Sequence, residues 1–345
     1  MRRAAASTLL ALCASAAGSC GGDSSPASVA RYEGASMGSS WSAAVVVPPG
    51  SVAPPPETLQ GLLDEVDRLM STWKPESELS RFNAWRPATA EESFLVSEKT
   101  ATVIRAALIV AEATDGAFDP TILPLVEAWG FGAGGAMANE PTLEEIAVAA
   151  ARCGWRKLRV PGSALSKSEP SVSVDLSAIA PGYAADLICE RLRALDLPDH
   201  LVEVGGEIRV GGRALGGRAW RLGVERPSAE AEADQELQTT IEVHDAALGT
   251  SGDYRKFRVG ADGRRLSHEI DPRIGHPVTH ALASATVLAP TCMEADAWAT
   301  ACMILGPTEA LATIESLPGV EAYLIVRAAD GFRVLTTSGF PKPVE

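Results

Sequence analysis

The sequence predicts an α+β fold, with antiparallel sheets and helices packed against them. Three observations carry this. Apolar residues recur at helical spacing through much of the first half. Runs rich in β-branched residues cluster in the second half, bounded by turn residues. The two kinds of segment alternate irregularly, unlike the steady strand–helix succession that builds a parallel sheet. No linker-like stretch divides the chain after residue 30, so residues 31–345 read as one domain.

The first residues are expected to be a leader rather than fold. Arg2 and Arg3 precede a short apolar run, Ala4 to Ala17, too short to span a bilayer as a helix. It ends in Ala17-Gly-Ser-Cys20, small residues leading to a cysteine, the shape of a lipoprotein signal. Residues 1–19 would be removed and Cys20 acylated; a plain secretory signal, since Ala17 fits less well than Leu would, is the competing reading. Residues 20–30 would form a flexible Gly/Ser-rich tether. Several acyl chains anchor a protein stably, so the domain would work outside the cytoplasm, facing a membrane.

Pro54-Pro-Pro56 stops the preceding chain, and Leu59, Leu62, Leu63, Val66, Leu69 and Met70 then mark a helix. A second helix covers Val96 to Ala113 and ends at Asp115-Gly116. Ile122 to Trp129 also reads as helical. Thr142 and Glu145 have capping-box spacing and open another helix. Pro181 suits the first turn of a helix running to about Leu195. Strands are expected at Ala43–Val47, and at His200–Val204 and Glu207–Val210 about a Gly205-Gly206 turn. Further strands are Thr239–Val243, Leu282–Ala289, Val320–Val326 and Phe332–Thr336, with a buried helix at Met293–Leu305. Ser228 to Glu236, with acids at alternate positions, reads as a solvated loop.

Charge excludes one class of partner. The formal charge is −14, with 30 basic against 44 acidic residues, whereas nucleic-acid binding needs clustered Lys and Arg. Loss of residues 1–19 would remove two arginines and no acid. Cys153, Cys189, Cys292 and Cys302 lack CxxC spacing, which argues against zinc. They are expected as buried free thiols, although export would permit disulfides.

Several motifs match only formally. Gly130-Phe-Gly-Ala-Gly-Gly135 fits G-x-G-x-x-G, but follows a helical segment rather than a strand. Gly212-Arg-Ala-Leu-Gly-Gly217 lacks the Lys-Ser/Thr of a P-loop. Ser71-Thr-Trp-Lys74 fits S-x-x-K without its KTG partner, and Gly34-Ala-Ser-Met-Gly38 fits G-x-S-x-G without the strand before and helix after. His276 and His280 are four apart, but Pro277 stands between them and the zincin Glu is missing.

The chemistry concentrates in three segments: Gly249-Thr-Ser-Gly-Asp-Tyr-Arg255, Ser267-His-Glu-Ile-Asp-Pro272 and Glu294-Ala-Asp-Ala-Trp-Ala-Thr300. Asp296 and Thr300 are four apart on a predicted helix, so they share a face. Carboxylate and hydroxyl are hard oxygen ligands that suit Mg²⁺ together with substrate phosphates. A capping Asp beside a Thr bonded to its own backbone is the competing account. His268 stands at a strand end before an Asp-Pro turn, and histidine is a residue type suited to general-base work. It could equally be structural. The turns Gly116-Ala-Phe-Asp-Pro-Thr121 and Val174-Asp-Leu-Ser-Ala-Ile-Ala-Pro-Gly-Tyr183 can offer backbone N–H groups and acids to a polar ligand, or open capped helices.

Taken together, these residues resemble the FAD:protein FMN transferase family of ApbE type. The matching pieces, in order, are Ser36-Met-Gly38, Met70-Ser-Thr-Trp-Lys-Pro-Glu-Ser-Glu-Leu-Ser-Arg-Phe-Asn83, Asp115-Gly-Ala-Phe-Asp-Pro-Thr121 with Trp129-Gly-Phe-Gly132, Asp175-Leu-Ser-Ala-Ile-Ala-Pro-Gly-Tyr-Ala-Ala-Asp186, Val204-Gly-Gly206, and the three segments above. They run from about Tyr32 to near the C-terminus. The resemblance implies a T-fold-related single domain that moves the FMN half of FAD onto a Thr or Ser hydroxyl of an exported or membrane redox protein, with AMP leaving. It implies that Met37 and Trp73 contact the flavin. FAD would also be bound by the backbone around Ala117, Phe118 and Asp119, by Asp175 and Ile270, and at Pro181. Mg²⁺ would be held by the Ala178 carbonyl, the Asp296 carboxylate and the Thr300 hydroxyl. His268 would take the proton of the acceptor hydroxyl.

Two positions depart from the family pattern. Pro181 stands where Lys or Glu is common and has neither charge nor N–H to give. Ala299 stands where some relatives add an acid, so the metal site could hold fewer anionic ligands. A flavin-storing lipoprotein and an FAD pyrophosphatase, with water as acceptor, are the competing functions.

Overall fold

The structure is a computed structural model that describes residues 26–135, 139–227, 236–254, 257–260, 263 and 265–344. The leader with Cys20, Arg255, and all of the Ser228–Glu236 loop except Glu236 lie outside the described residues.

Eight antiparallel strands form the central sheet: β1 (Ser28–Ser36), β2 (Ser39–Val47), β6 (His200–Val204), β7 (Glu207–Gly211), β10 (Ala247–Gly252), β15 (Leu282–Ala289), β16 (Glu321–Ala328) and β17 (Gly331–Thr336), in that order. Smaller pieces are β3 (Phe94–Leu95), β4 (Leu158–Arg159) and β5 (Ala164–Lys167) in one sheet, and three two-stranded ribbons: β8 (Trp220–Glu225) with β9 (Leu237–Val243), β11 (Phe257–Val259) with β12 (Arg265–Ser267), and β13 (Ile270–Asp271) with β14 (His276–Pro277). The helices are α1 (Pro56–Met70), α2 (Glu78–Ala84), α3 (Glu98–Ala113), α4 (Leu123–Ala128), α5 (Leu143–Ala151), α6 (Ala180–Arg193), α7 (Cys292–Leu305) and α8 (Pro307–Glu315).

The predicted α+β class therefore holds, and the expected helices and strands are present with shifted ends. The expected tether ends early: Ser28, Val29 and Ala30 pair with Val47, Val46 and Val45 in β1–β2. Ser, Ala and Gly read as linker by composition, but here ladder hydrogen bonds decide. The β1–β2 turn carries positive φ at Met37 and Gly38, the backbone of a two-residue hairpin. That turn, not a nucleophile elbow, accounts for the G-x-S-x-G match.

Helix starts follow local chemistry. The Ser97 hydroxyl accepts from the Thr100 amide at α3. Thr142 and Glu145 complete the expected capping box at α5. Thr291 accepts from the Glu294 amide at α7. Eleven of the fourteen α7 residues are buried, as expected of a helix apolar all round and packed on every side. α7 lies on β10 and β15, against α3, α6 and α8. The main core fills this helical side of the sheet. The β8–β9 ribbon covers the other side, with Trp220, Leu222, Ile241 and Val243 packed on Val46, Leu201, Ile208 and Val210. A third cluster joins α4 and α5 to Leu266 and Ile270, the residues flanking His268. All four described cysteines are buried free thiols.

Candidate active site

The site grows from the contact between α6 and α7. A Cβ on Gly182 would lie 2.2 Å from the Cys292 carbonyl oxygen, so only glycine lets the two backbones meet this closely. Asp296, one turn into α7, is buried, and its Oδ2 accepts from the Gly182 amide at 3.0 Å. In an unbroken helix that amide would bond the Ala178 carbonyl, four residues back. Ile179 departs from helical geometry (φ −156°, ψ −27°), and no amide among the described residues bonds the Ala178 oxygen.

No lysine or arginine pairs with Asp296 among the described residues. Burial pushes its pKa up to about 7, and the charges of Asp186 and Glu269 add to the rise. One turn further along α7, the Thr300 hydroxyl lies 3.1 Å from that of Ser251 on β10. α7 can lie on β10 because a Cβ on Gly249 would fall 2.4 Å from the backbone of Ala295. A buried carboxylate and a hydroxyl thus share one face of α7, with an unbonded carbonyl two residues ahead of α6 and no cation paired to the carboxylate among the described residues. This donor set suits a hard divalent cation. The described residues hold no group of three His, Cys, Asp or Glu side chains fit for a metal, and the set here needs none, since two of its oxygens come from Thr300 and backbone.

His268 follows β12. Its Nε2 lies 3.3 Å from Oε1 of Glu269, which is buried, and its ring meets Phe131 edge-on at 6.3 Å. Glu269 therefore lies against the histidine. A hollow of about 190 Å³ lined by Asp253, Arg265, Ser267 and Arg327 lies directly beside this segment. A larger one, about 430 Å³, lies between α4 and α5 and touches none of the candidate residues.

The turn at residues 117–121 meets the segment leading to α6, because the Asp175 amide donates to the Pro120 carbonyl at 2.8 Å. Its amides were expected to be on offer to a ligand, and three are already used. Ala117 donates to the Thr114 carbonyl, Phe118 to the Thr114 hydroxyl and Thr121 to the Asp119 carboxylate. The Asp119 carboxylate is buried, which raises its pKa, and it accepts from Thr121 and from the Trp155 amide. What the turn still presents among the described residues is the Ala117 and Phe118 carbonyls and the Asp119 amide.

The remaining candidates are spread out. Asp175 Oδ1 accepts from the Ser177 amide, tightening the turn before Ala178. Ile270 is buried against α4 and α5. Pro181, in the first turn of α6, faces the β6–β7 turn, where a Cβ on Gly205 would be 3.9 Å from its own. Ala299 is fully buried in the main core. Met37 packs on that core at the β1–β2 turn, and Trp73 is 66% exposed just past α1. Reading the sequence by spacing missed Glu269, Ser251 and Asp186 as parts of the site. All three stood inside quoted segments. The signal for Asp186 was a carboxylate among Ala184, Ala185, Leu187 and Ile188 on an apolar helix.

The chain was compared with known proteins. The ApbE family profile matches residues 37–324. A curated relative from Vibrio cholerae, named FAD:protein FMN transferase, is 39% identical over 319 residues, covering 91% of this chain and 92% of its own. The Escherichia coli K12 protein of the same name is 36% identical, covering 90% and 88%. The solved flavin transferase ApbE of Vibrio cholerae superposes with a TM-score of 0.81 at 38% identity, covering 91% of this chain and 99% of that one. Such identity over nearly the full length shows that this chain belongs to the ApbE family.

Proposed function

We propose that this protein transfers FMN from FAD to a Thr or Ser hydroxyl of an acceptor protein. The observation that carries the reading is the α6–α7 oxygen cluster: a buried Asp296 on one face of α7 with Thr300, and the Ala178 carbonyl ahead of α6, with no cation paired to Asp296 and no amide bonded to that carbonyl among the described residues. The activity named for the curated relatives supports it.

In this reading Asp296, Thr300 and the Ala178 carbonyl hold Mg²⁺. Bound there, the ion supplies positive charge against the diphosphate of FAD. Phosphoryl transfer asks a protein mainly for positioning and charge neutralisation. His268, held by Glu269, accepts the proton of the acceptor hydroxyl. That oxygen bonds the phosphorus of the FMN half, the bond from this phosphorus to the bridging oxygen breaks, and AMP leaves with the bridging oxygen. Exposed Trp73 offers an aromatic face to the isoalloxazine, and Met37 a polarisable thioether. The carbonyls at Ala117 and Phe118, the Asp119 amide, and the Asp175, Pro181 and Ile270 positions line the rest of the FAD path.

Incubation with FAD, Mg²⁺ and a candidate exported redox protein, followed by intact-mass measurement, tests the reading. An acceptor heavier by one FMN residue supports it. Free FMN and AMP with an unmodified acceptor would mean hydrolysis instead, and bound FAD left intact would mean storage.

The leader ending at Cys20 supports membrane anchoring through lipid, with the domain outside the cytoplasm. No described helix is long and apolar enough to cross a membrane. If a Cys20→Ser variant still fractionates with membranes, the anchor is not at that residue.

A further inference from the structure

The α6–α7 contact is reciprocal. Asp296 of α7 accepts from the Gly182 amide at the start of α6. Asp186 of α6 accepts from the Cys292 and Met293 amides at the start of α7, at 2.9 and 3.0 Å. In each helix the carboxylate stands four residues after the amide that donates to the other helix's carboxylate: Gly182 and Asp186, Cys292 and Asp296. The two halves differ in one respect. Asp186 is paired with the guanidinium of Arg209 from β7, whereas Asp296 has no cationic partner among the described residues.

We propose that Asp186, fixed by Arg209, is the positioning residue for the metal ligands. Its two hydrogen bonds set the first turn of α7 against α6. They thereby set the spacing between the Ala178 carbonyl before one helix and Asp296 and Thr300 on the other. Arg209 is the built-in counter-charge of one carboxylate, and a bound cation takes that part for the other. The inference rests on the Mg²⁺ reading above. Asp186 touches neither substrate nor metal. Its effect passes through helix placement, the kind of supporting contact whose loss commonly lowers metal affinity about 10- to 100-fold.

The test uses full-length protein with FAD and Mn²⁺ as a spectroscopic probe. Bound Mn²⁺ is measured by electron paramagnetic resonance, and transfer rate is followed against Mg²⁺. Asp186→Asn keeps the shape but has one acceptor oxygen for two amides. Arg209→Lys keeps the charge but not the planar guanidinium. Ile241→Ala, buried on the far face of the sheet, controls for loss of stability alone.

Asp186→Asn should raise the Mn²⁺ dissociation constant and the half-saturating Mg²⁺ about 10-fold or more, and leave the rate at saturating metal within about threefold. Arg209→Lys should shift both in the same direction by less. If Asp186→Asn does not fold, Arg209→Lys decides alone. Metal affinity within twofold of the parent, or an equal shift in Ile241→Ala, overturns the proposal. If the parent binds no Mn²⁺, it is the Mg²⁺ reading that fails. If the parent binds it and the variants bind it equally well, only the positioning role fails.

Discussion

Ser251 Oγ on β10 lies 3.1 Å from Thr300 Oγ1 on α7. Each hydroxyl has one proton, so one donates and the other accepts. A Thr300 oxygen that gives a lone pair to a cation must turn its proton away, and Ser251 is placed to receive it. Ser251→Ala removes that acceptor without touching a proposed ligand. The half-saturating Mg²⁺ concentration should rise about 3- to 10-fold, below the usual span for lost supporting contacts because water can replace the hydroxyl. Titration of transfer rate against Mg²⁺ reads this directly, and an unmoved titration would remove Thr300 from the ligand set.

Asp296 gives a prediction in pH. Burial holds its folded pKa at about 7, against an unfolded value near 4. A carboxyl whose pKa is raised by folding stabilises the protein fully below its unfolded pKa, and that contribution is lost as pH rises through the folded value. In chelator, the melting temperature should therefore fall between pH 5 and pH 8, by an amount equivalent to on the order of 3 kcal/mol at most. Asp296→Asn keeps an oxygen for the Gly182 amide and has no charge to bury. Its melting temperature should fall less over the same range. Mg²⁺ should restore the parent at pH 8 and leave the variant unchanged. Parallel pH profiles in chelator for the two proteins would refute the assignment.

The expected role of His268 separates binding from chemistry. The imidazole is partly exposed, lies against Glu269, and carries no part of the core. His268→Ala should keep FAD affinity and melting temperature while lowering transfer about 10²- to 10⁴-fold, the usual worth of a positioned base. Glu269→Gln removes the charge that orients the ring and should fall between parent and His268→Ala. Equal turnover by parent and His268→Ala would take the histidine out of the reaction.

How much of this was legible in the sequence depended on how local the cause was. Capping residues and apolar spacing announced α1, α3, α5 and α7, because those signals act within a few residues. β10 was missed as a strand. Ala247-Leu-Gly-Thr-Ser-Gly252 has weak strand propensity and is held by its neighbours β7 and β15. β1 was missed for a similar reason, since pairing rather than composition makes it a strand, whereas β8 carried a readable alternation in Trp220, Leu222 and Val224. α8 had a readable signal in Gly306-Pro307, with glycine at positive φ before a proline in the first turn. In the site, Asp296 and Thr300 share a helix, so spacing found them together. Asp186 reaches Cys292 across 106 residues, and no spacing rule spans such a contact. The Ala178 carbonyl came from resemblance to a family. Its physical cause, the diversion of the Gly182 amide to Asp296, exists only once the two helices meet.

That diversion makes Gly182 the sharpest test of the geometry. Alanine is favoured over glycine inside a helix by about 1 kcal/mol, so propensity alone predicts that Gly182→Ala stabilises. Packing predicts the opposite. The added methyl would meet the Cys292 carbonyl at 2.2 Å and the Asp296 Cβ at 2.9 Å, contacts that force α6 and α7 apart. Overpacking of this kind costs about 1–3 kcal/mol, which exceeds the gain in propensity. Gly61, within α1, is the matched control, because a Cβ there meets nothing within 4 Å. Gly61→Ala should raise the melting temperature slightly and leave metal affinity alone. Gly182→Ala should lower the melting temperature and weaken Mn²⁺ binding, since the Ala178 carbonyl and Asp296 would no longer sit at their present separation. If the two alanine variants melt alike, the close approach of α6 and α7 is wrong, and the oxygen cluster built on it goes too.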